Sequence, residues 1–238
     1  MERHFDKQLE KLKTRLLKMC SLVNEQLENS IKALVSGNND LAQQVIALDN
    51  KVDKYDVKID KSCMKLLALN QPVAVDLRLV MAALTINTDL ERIGDLAVNI
   101  AENVEGLEVK PDFYNQLQFD EVSRVTMDMV RSAIDSFIEN DPNLAQKVLK
   151  VEAKLDELVE RNNKKIVQIM KENCDYIEPG IKLYSTFHEL ERVGDHATNI
   201  AEDVYFIVEA QNIKHKYTQI LFSDEKDDEE IDGTKNNS

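Results

Sequence analysis

An all-α fold of six long helices, arranged as two tandem pseudo-symmetric three-helix bundles, is predicted by three observations. Apolar residues recur three and four apart through most of the chain, the spacing that lines one face of a helix. Only 6 Gly and 4 Pro occur in 238 residues, with no Trp and 5% aromatics, a composition poor in the turns a β fold needs. The stretch Leu90 to Val104 returns as Leu190 to Val204 with eleven of fifteen residues unchanged, so the plan repeats once. Helices of roughly 30 residues favour elongated bundles over a compact globule.

The first helix is expected over about Arg3 to Val35, where Leu9, Leu12, Leu16, Met19, Val23, Leu27, Ile31 and Leu34 form one stripe. Ser36 to Asp40 ends it, with Gly37 as a left-handed stop and Asn39 or Asp40 as the next cap. The second helix, about Asp40 to Leu69, carries a seam of Leu41, Val45, Leu48, Val52, Tyr55, Ile59, Leu66 and Leu69. Asp49, Asp53, Asp56 and Asp60 each follow a seam position by one residue, which turns them about 100° from the core as a parallel acidic stripe. Asn70-Gln71-Pro72 breaks the pattern, because the residue before Pro is driven out of the helical region while Pro suits a first turn. The third helix then runs from about Pro72 to Glu105, stopped by Gly106 and Lys110-Pro111.

The second half follows the same plan. Val122, Val125, Met129, Ala133 and Phe137 mark the fourth helix, and Asn140-Asp141-Pro142 ends it and caps the fifth. Leu144-Ala145-Gln146 repeats Leu41-Ala42-Gln43 at an offset of 103, and Glu152, Asp156 and Glu160 stand where the second helix has its Asp stripe. The change of offset from 100 falls in or around Cys174 to Gly180. A sixth helix is expected from about Glu178 to Leu221, followed by a charge-rich, apolar-poor tail, Ser223 to Ser238, that reads as disordered. The expected domains are therefore 1–108, 109–222 and the tail 223–238.

A net charge of -14 sets nucleic acid aside as a partner, because phosphate binding relies on clustered Lys and Arg. Cations or basic protein surfaces fit better. No segment reaches the roughly 18 uninterrupted apolar residues of a membrane span, and the N-terminal residues are mixed in charge, so a cytoplasmic protein is expected. Cys20, Cys63 and Cys174 match neither a disulfide framework nor zinc-ligand spacing, and the first two read as small buried hydrophobes. There is no Gly-rich phosphate loop, no Gly-x-Ser-x-Gly and no Glu-x-x-His, and His196 reads as a surface or packing residue. Nothing in the sequence argues for catalysis.

The repeated stretch combines a core stripe with a ladder of oxygen donors. Leu90, Ile93, Ala97, Ile100 and Val104 share one face, with Glu91, Asp95, Asn99 and Glu102 running beside it. Folding the second and third helices antiparallel about Asn70 and Gln71 sets Asp49 and Asp53 level with Thr88 to Arg92, beside Asp89, Glu91 and Asp95. The same construction sets Glu152 and Asp156 near Asp195, Asn199 and Glu202. Carboxylates gathered this way are unfavourable unless solvated, paired or bound to metal. Oxygen donors suit magnesium, manganese, calcium or iron, and several could bridge more than one ion. The competing reading is a solvated face with Arg92 and Arg192 as partners. Gly94 and Gly194 each cost about 1 kcal/mol against Ala mid-helix, so something must approach the backbone there, either a packed helix or a bound cluster.

Gln71-Pro-Val-Ala-Val-Asp-Leu-Arg78, then Asp89-Leu-Glu-Arg-Ile-Gly-Asp95, then Glu191-Arg-Val-Gly-Asp-His-Ala-Thr-Asn199 resemble the PhoU family of bacterial phosphate-uptake regulators. The resemblance covers nearly everything except the acidic tail. It implies a PhoU-like pair of three-helix bundles in a cytoplasmic, often dimeric protein that reaches the membrane only through partners. It also implies Glu-x-x-x-Asp motifs that hold multinuclear clusters of iron, manganese, magnesium or zinc. Carried onto this chain, the implied ligands are Glu91, Asp95, Glu191 and Asp195, with Asn99 and Asn199 one turn on. Asp49, Asp53, Glu152 and Asp156 from the facing helices complete the candidate set. The implied role is a non-catalytic adaptor that represses phosphate uptake and the phosphate-starvation response, linking the ATPase of a phosphate ABC transporter to a sensor histidine kinase. The alternative is a metal-carboxylate enzyme or metal store on a helical bundle. Two departures stand out: the second half has Tyr176-Ile-Glu-Pro-Gly180 in place of the Gln71 motif, and Val159 in place of Asp56.

Overall fold

The computed structural model describes residues 4–104 and 111–209. Within them lie α1 (His4–Ser36), α2 (Asn39–Asn70), α3 (Ala74–Glu102), α4 (Phe119–Glu139), α5 (Pro142–Glu172) and α6 (Ile177–Glu209), and no strand. Short 3-10 turns, Tyr114–Gln116 and Cys174–Tyr176, precede α4 and α6. The expected stop at Gly106 to Lys110, the end of the sixth helix to Leu221 and the acidic tail lie outside the described residues.

Helix ends follow the predicted punctuation with two corrections. Gly37 is left-handed at φ 62, but the cap of α2 is Asn38, one residue before the expected pair, and its side chain accepts from the Leu41 N–H at 3.0 Å. Asn140 is left-handed, Asp141 caps α5 through the Asn143 N–H at 2.8 Å, and Pro142 fills the first turn. Between α2 and α3, Gln71 and Ala74 both adopt positive φ, 46 and 49, so α3 starts at Ala74 rather than Pro72. Two non-glycine residues in this region store roughly 1–2 kcal/mol each. The three-residue turn Cys174–Tyr176 lies where the offset between the halves changes.

The predicted stripes form the core. Leu90, Ile93, Ala97, Ile100 and Val104 are all buried, as are Leu190, Val193, Ala197, Ile200 and Val204. In the α2 seam Leu41, Leu48 and Tyr55 are half-buried, and Leu69, in the last turn of the helix, is 68% exposed. Cys20 and Cys63 are buried, and burial pushes both thiols up to about 12, whereas Cys174 is exposed.

Helices α1, α2 and α3 pack on one another, as do α4, α5 and α6. The halves join through α3 on α6 and α1 on α4, so equivalent helices meet, as a twofold relation requires. At the α3–α6 junction Asp89 accepts from Asn199 Nδ2 at 3.1 Å and pairs with His196 Nδ1 at 2.8 Å, while Asn103 Nδ2 donates to Thr186 Oγ1 at 3.3 Å. Later residues of α3 meet earlier residues of α6, so the two motif helices run antiparallel. No helix among the described residues is long and apolar enough to cross a membrane.

Candidate functional site

In the first half the acidic stripe of α2 faces the motif of α3. Asp49 accepts from Gln26 Nε2 at 3.1 Å, and Gln26 itself is fully buried within the apolar stripe of α1. Partial burial, then the charges of Asp53 and Asp95, raise the Asp49 carboxyl above its ordinary range, against the Gln26 bond. Burial and the charges of Asp95, Asp56 and Asp53 raise Glu91, while Arg92 opposes. Asp56 is raised by burial and by Asp60. Thus Asp49, Asp53, Glu91 and Asp95 come face to face as the antiparallel construction predicts, and Asn99 lies half-buried one turn on.

The candidate ligand set leaves out four neighbours. Asp56 and Asp60 belong to the same stripe, and Asn87 Nδ2 donates to Asp56 Oδ1 at 2.6 Å and Asp60 Oδ1 at 3.1 Å. Gln26 is the fourth. The signal for the two amides was a polar residue inside an otherwise apolar stripe, which is costly to bury without a structural reason. Gln26 Oε1 and Asn87 Oδ1 are buried and accept no hydrogen bond.

The second half repeats the arrangement with fewer acids. Burial, then Asp156, Asp195 and Glu202, raise Glu152, with the Thr198 hydroxyl opposing. Burial, then Glu191 and Asp195, raise Asp156. Partial desolvation and Glu191 raise Asp195, against His196, His188 and Arg192. So Glu152, Asp156, Glu191 and Asp195 also gather between α5 and α6. Val159 is buried where α2 has Asp56, which removes one carboxylate from this face. The Asn199 amide is committed to Asp89 of the other half, and Asp89 therefore faces α6 instead of the α2 stripe that the sequence set beside it.

The glycines are explained by helix packing. A Cβ on Gly194 would overlap Leu155 Cδ2, and one on Gly94 would sit 3.1 Å from Gln26 Oε1 and 3.4 Å from Val52 Cγ1. In both halves a neighbouring helix approaches the glycine.

Basic partners neutralise these faces only in part. Arg92 lies 3.3 Å from Asp95 and 3.5 Å from Glu91, but Arg192 turns to Glu189 at 3.1 Å, and Glu191 is met by His188 at 3.3 Å. The donor set, carboxylates backed by amide oxygens that lack donors, fits a hard cation in its chemistry. As placed, no three Asp, Glu, His or Cys side chains among the described residues converge closely enough to hold an ion, so binding would need their rotation.

Fold and site define a duplicated helical bundle with one carboxylate-rich helix pair in each half. The chain belongs to the PhoU family: the PhoU domain profile matches residues 16–104 and again 119–204. It is 32% identical over 212 residues to the phosphate-specific transport system accessory protein PhoU homolog 1 of Thermotoga maritima, covering 89% of this chain and 91% of that protein. It is 34% identical to the corresponding homolog of Aquifex aeolicus, covering 89% and 96%. The crystal structure of PhoU from Pseudomonas aeruginosa superposes with a TM-score of 0.83 at 32% identity, covering 87% of this chain and all (100%) of that one. The phosphate transport system regulatory protein PhoU from Streptococcus pneumoniae gives 0.80 at 26% identity, covering 88% and 99%.

Proposed function

We propose that this protein is a cytoplasmic, non-catalytic accessory regulator of a phosphate-specific transport system, and that its two acidic helix pairs bind metal. The regulatory reading rests on one observation: relatives matched over nine-tenths of their length carry that name, and both halves of the fold align with them. The protein would repress uptake and the starvation response by coupling the transporter ATPase to a sensor histidine kinase, acting as a homodimer that meets the membrane through these partners. Deleting the gene should derepress phosphate-responsive transcription in phosphate-rich medium, and the intact gene should restore repression. Normal repression in the deletion strain would refute this reading.

Metal binding is supported by like-charge crowding in both halves. Each acidic face holds carboxylates whose charged forms are disfavoured first by partial burial and then by one another, and a multivalent cation offsets both. Asp49, Asp53, Glu91 and Asp95, with Asp56 and Gln26 behind them, would hold an iron, manganese, magnesium or zinc cluster in the first half. Glu152, Asp156, Glu191 and Asp195 would hold a smaller one in the second. Bound metal would fix the α2–α3 and α5–α6 pairs and so set the surface shown to partners.

A further inference from the structure

Helix α2 segregates its charges. Its Asp stripe faces α3, while Lys51, Lys54, Lys58, Lys61 and Lys65 recur three and four apart on the opposite side. On α1 a matching row of Lys7, Lys11, Arg15 and Lys18 runs antiparallel to it. Two shallow depressions of about 410 Å³ and 470 Å³ follow the groove between the rows. Arg15 Nη1 bridges the groove to the Lys58 carbonyl at 3.1 Å and to the Ser62 hydroxyl. Nine of the 30 Lys and Arg of a chain with net charge -14 thus lie on one face, over about 21 Å of helix.

Six of these nine cations, Lys11, Lys18, Lys51, Lys54, Lys61 and Lys65, lack a carboxylate counterion among the described residues, and Lys58 sits over the Tyr55 ring at 5.0 Å. Like charges this close repel within one Debye length, so the face suits an extended polyanion. We propose that the α1–α2 groove is the docking site of the chain's own acidic segment, residues 224–232, which carries seven carboxylates and one Lys in nine residues.

Position supports the match. Because α6 runs antiparallel to α3, its last residue, Glu209, emerges at the end of the molecule where α3 begins. The Asn70 to Gln8 hydrogen bond places the start of α1 and the end of α2 at that same end. The 14 residues from 210 to 223 can span at most about 50 Å, enough to pass around the bundle. Tethering gives the segment an effective concentration of order mM, which a free acidic peptide would have to exceed. The docked segment would close the basic face to other polyanions.

The test uses the full chain. Carbodiimide cross-linking joins a carboxylate to a lysine amine without a spacer, and peptide mass spectrometry of an equal mixture of ¹⁴N and ¹⁵N protein separates contacts within one chain from contacts between copies. Single-isotope cross-links from 224–232 to the Lys51, Lys54, Lys58, Lys61 and Lys65 row are expected, and they should vanish in about 0.5 M salt, where the Debye length shrinks to roughly 4 Å. A second variant converts the seven tail acids to their amides, outside every helix described. It should bind labelled inorganic polyphosphate at least about tenfold more tightly than the parent, a shift of about 1.4 kcal/mol. Cross-links spread over second-half lysines, cross-links only between isotopes, or unchanged polyphosphate affinity would each overturn the proposal.

Discussion

Asp89 of α3 pairs with His196 of α6 at 2.8 Å, and the same carboxylate oxygen accepts from Asn199, so one acid of the first half anchors the motif helix of the second. Asp89 and His196 are mostly shielded, at 14% and 20% side-chain exposure. Asp89→Ala would leave two donors without an acceptor and should destabilise the protein by about 1–2 kcal/mol. Denaturant unfolding measures this, and a double-mutant cycle with His196→Ala should return a non-zero coupling energy. Additive effects would mean that the junction does not depend on this pair.

The two motif glycines should respond differently to alanine. At Gly194 a methyl group meets the buried Leu155, so Gly194→Ala should cost about 1–3 kcal/mol despite better helix propensity. At Gly94 the nearest atom, at 3.1 Å, is a Gln26 side-chain oxygen, and the helix-propensity gain of about 1 kcal/mol should nearly cancel the crowding. Thermal unfolding of the two variants, compared with the parent, distinguishes these outcomes.

The pH dependence of the metal-free protein follows from the raised carboxyls. In the folded state Asp49, Asp56, Glu91, Glu152, Asp156 and Asp195 hold protons at higher pH than in the unfolded chain. Folding therefore binds protons between the ordinary carboxylate range and the raised values, and these groups make stability fall as pH rises through that window. Glu28, lowered mainly by its Lys32 hydrogen bond, contributes with the opposite sign. Chelated protein should gain stability on mild acidification from neutral pH, and added manganese should flatten that trend, as measured by denaturant unfolding at several pH values. A stability maximum at neutral pH in the chelated protein would contradict it.

Much of this molecule is legible in its sequence because its elements are long. A stripe such as Leu90 to Val104 repeats the helical period often enough to fix both the helix and its buried face. The level of Asp49 with the α3 motif followed from one short turn and helix geometry. What was not legible depended on the third helix and the other half. Gln26 comes from α1, whose rotation against α2 no local pattern sets. Asp89 looked like another rung of the ladder, since its role is decided by the antiparallel crossing with α6. The start at Ala74 turns on two left-handed residues, Gln71 and Ala74, that composition alone does not locate. Which ion such a face would take lies beyond any pattern of carboxylates, since spacing specifies oxygen donors and not the ion.

The proposed binding of metal by the carboxylate faces is tested most directly by the metal content of protein purified without chelator, compared with Asp95→Ala/Asp195→Ala. More than one tightly held metal ion per chain, lost in the double variant and accompanied by a lower thermal midpoint, is the predicted result, because a ligand that binds only the folded state stabilises it. Metal-free protein whose thermal midpoint ignores added iron, manganese, magnesium and zinc would contradict the claim and leave two solvated acidic faces.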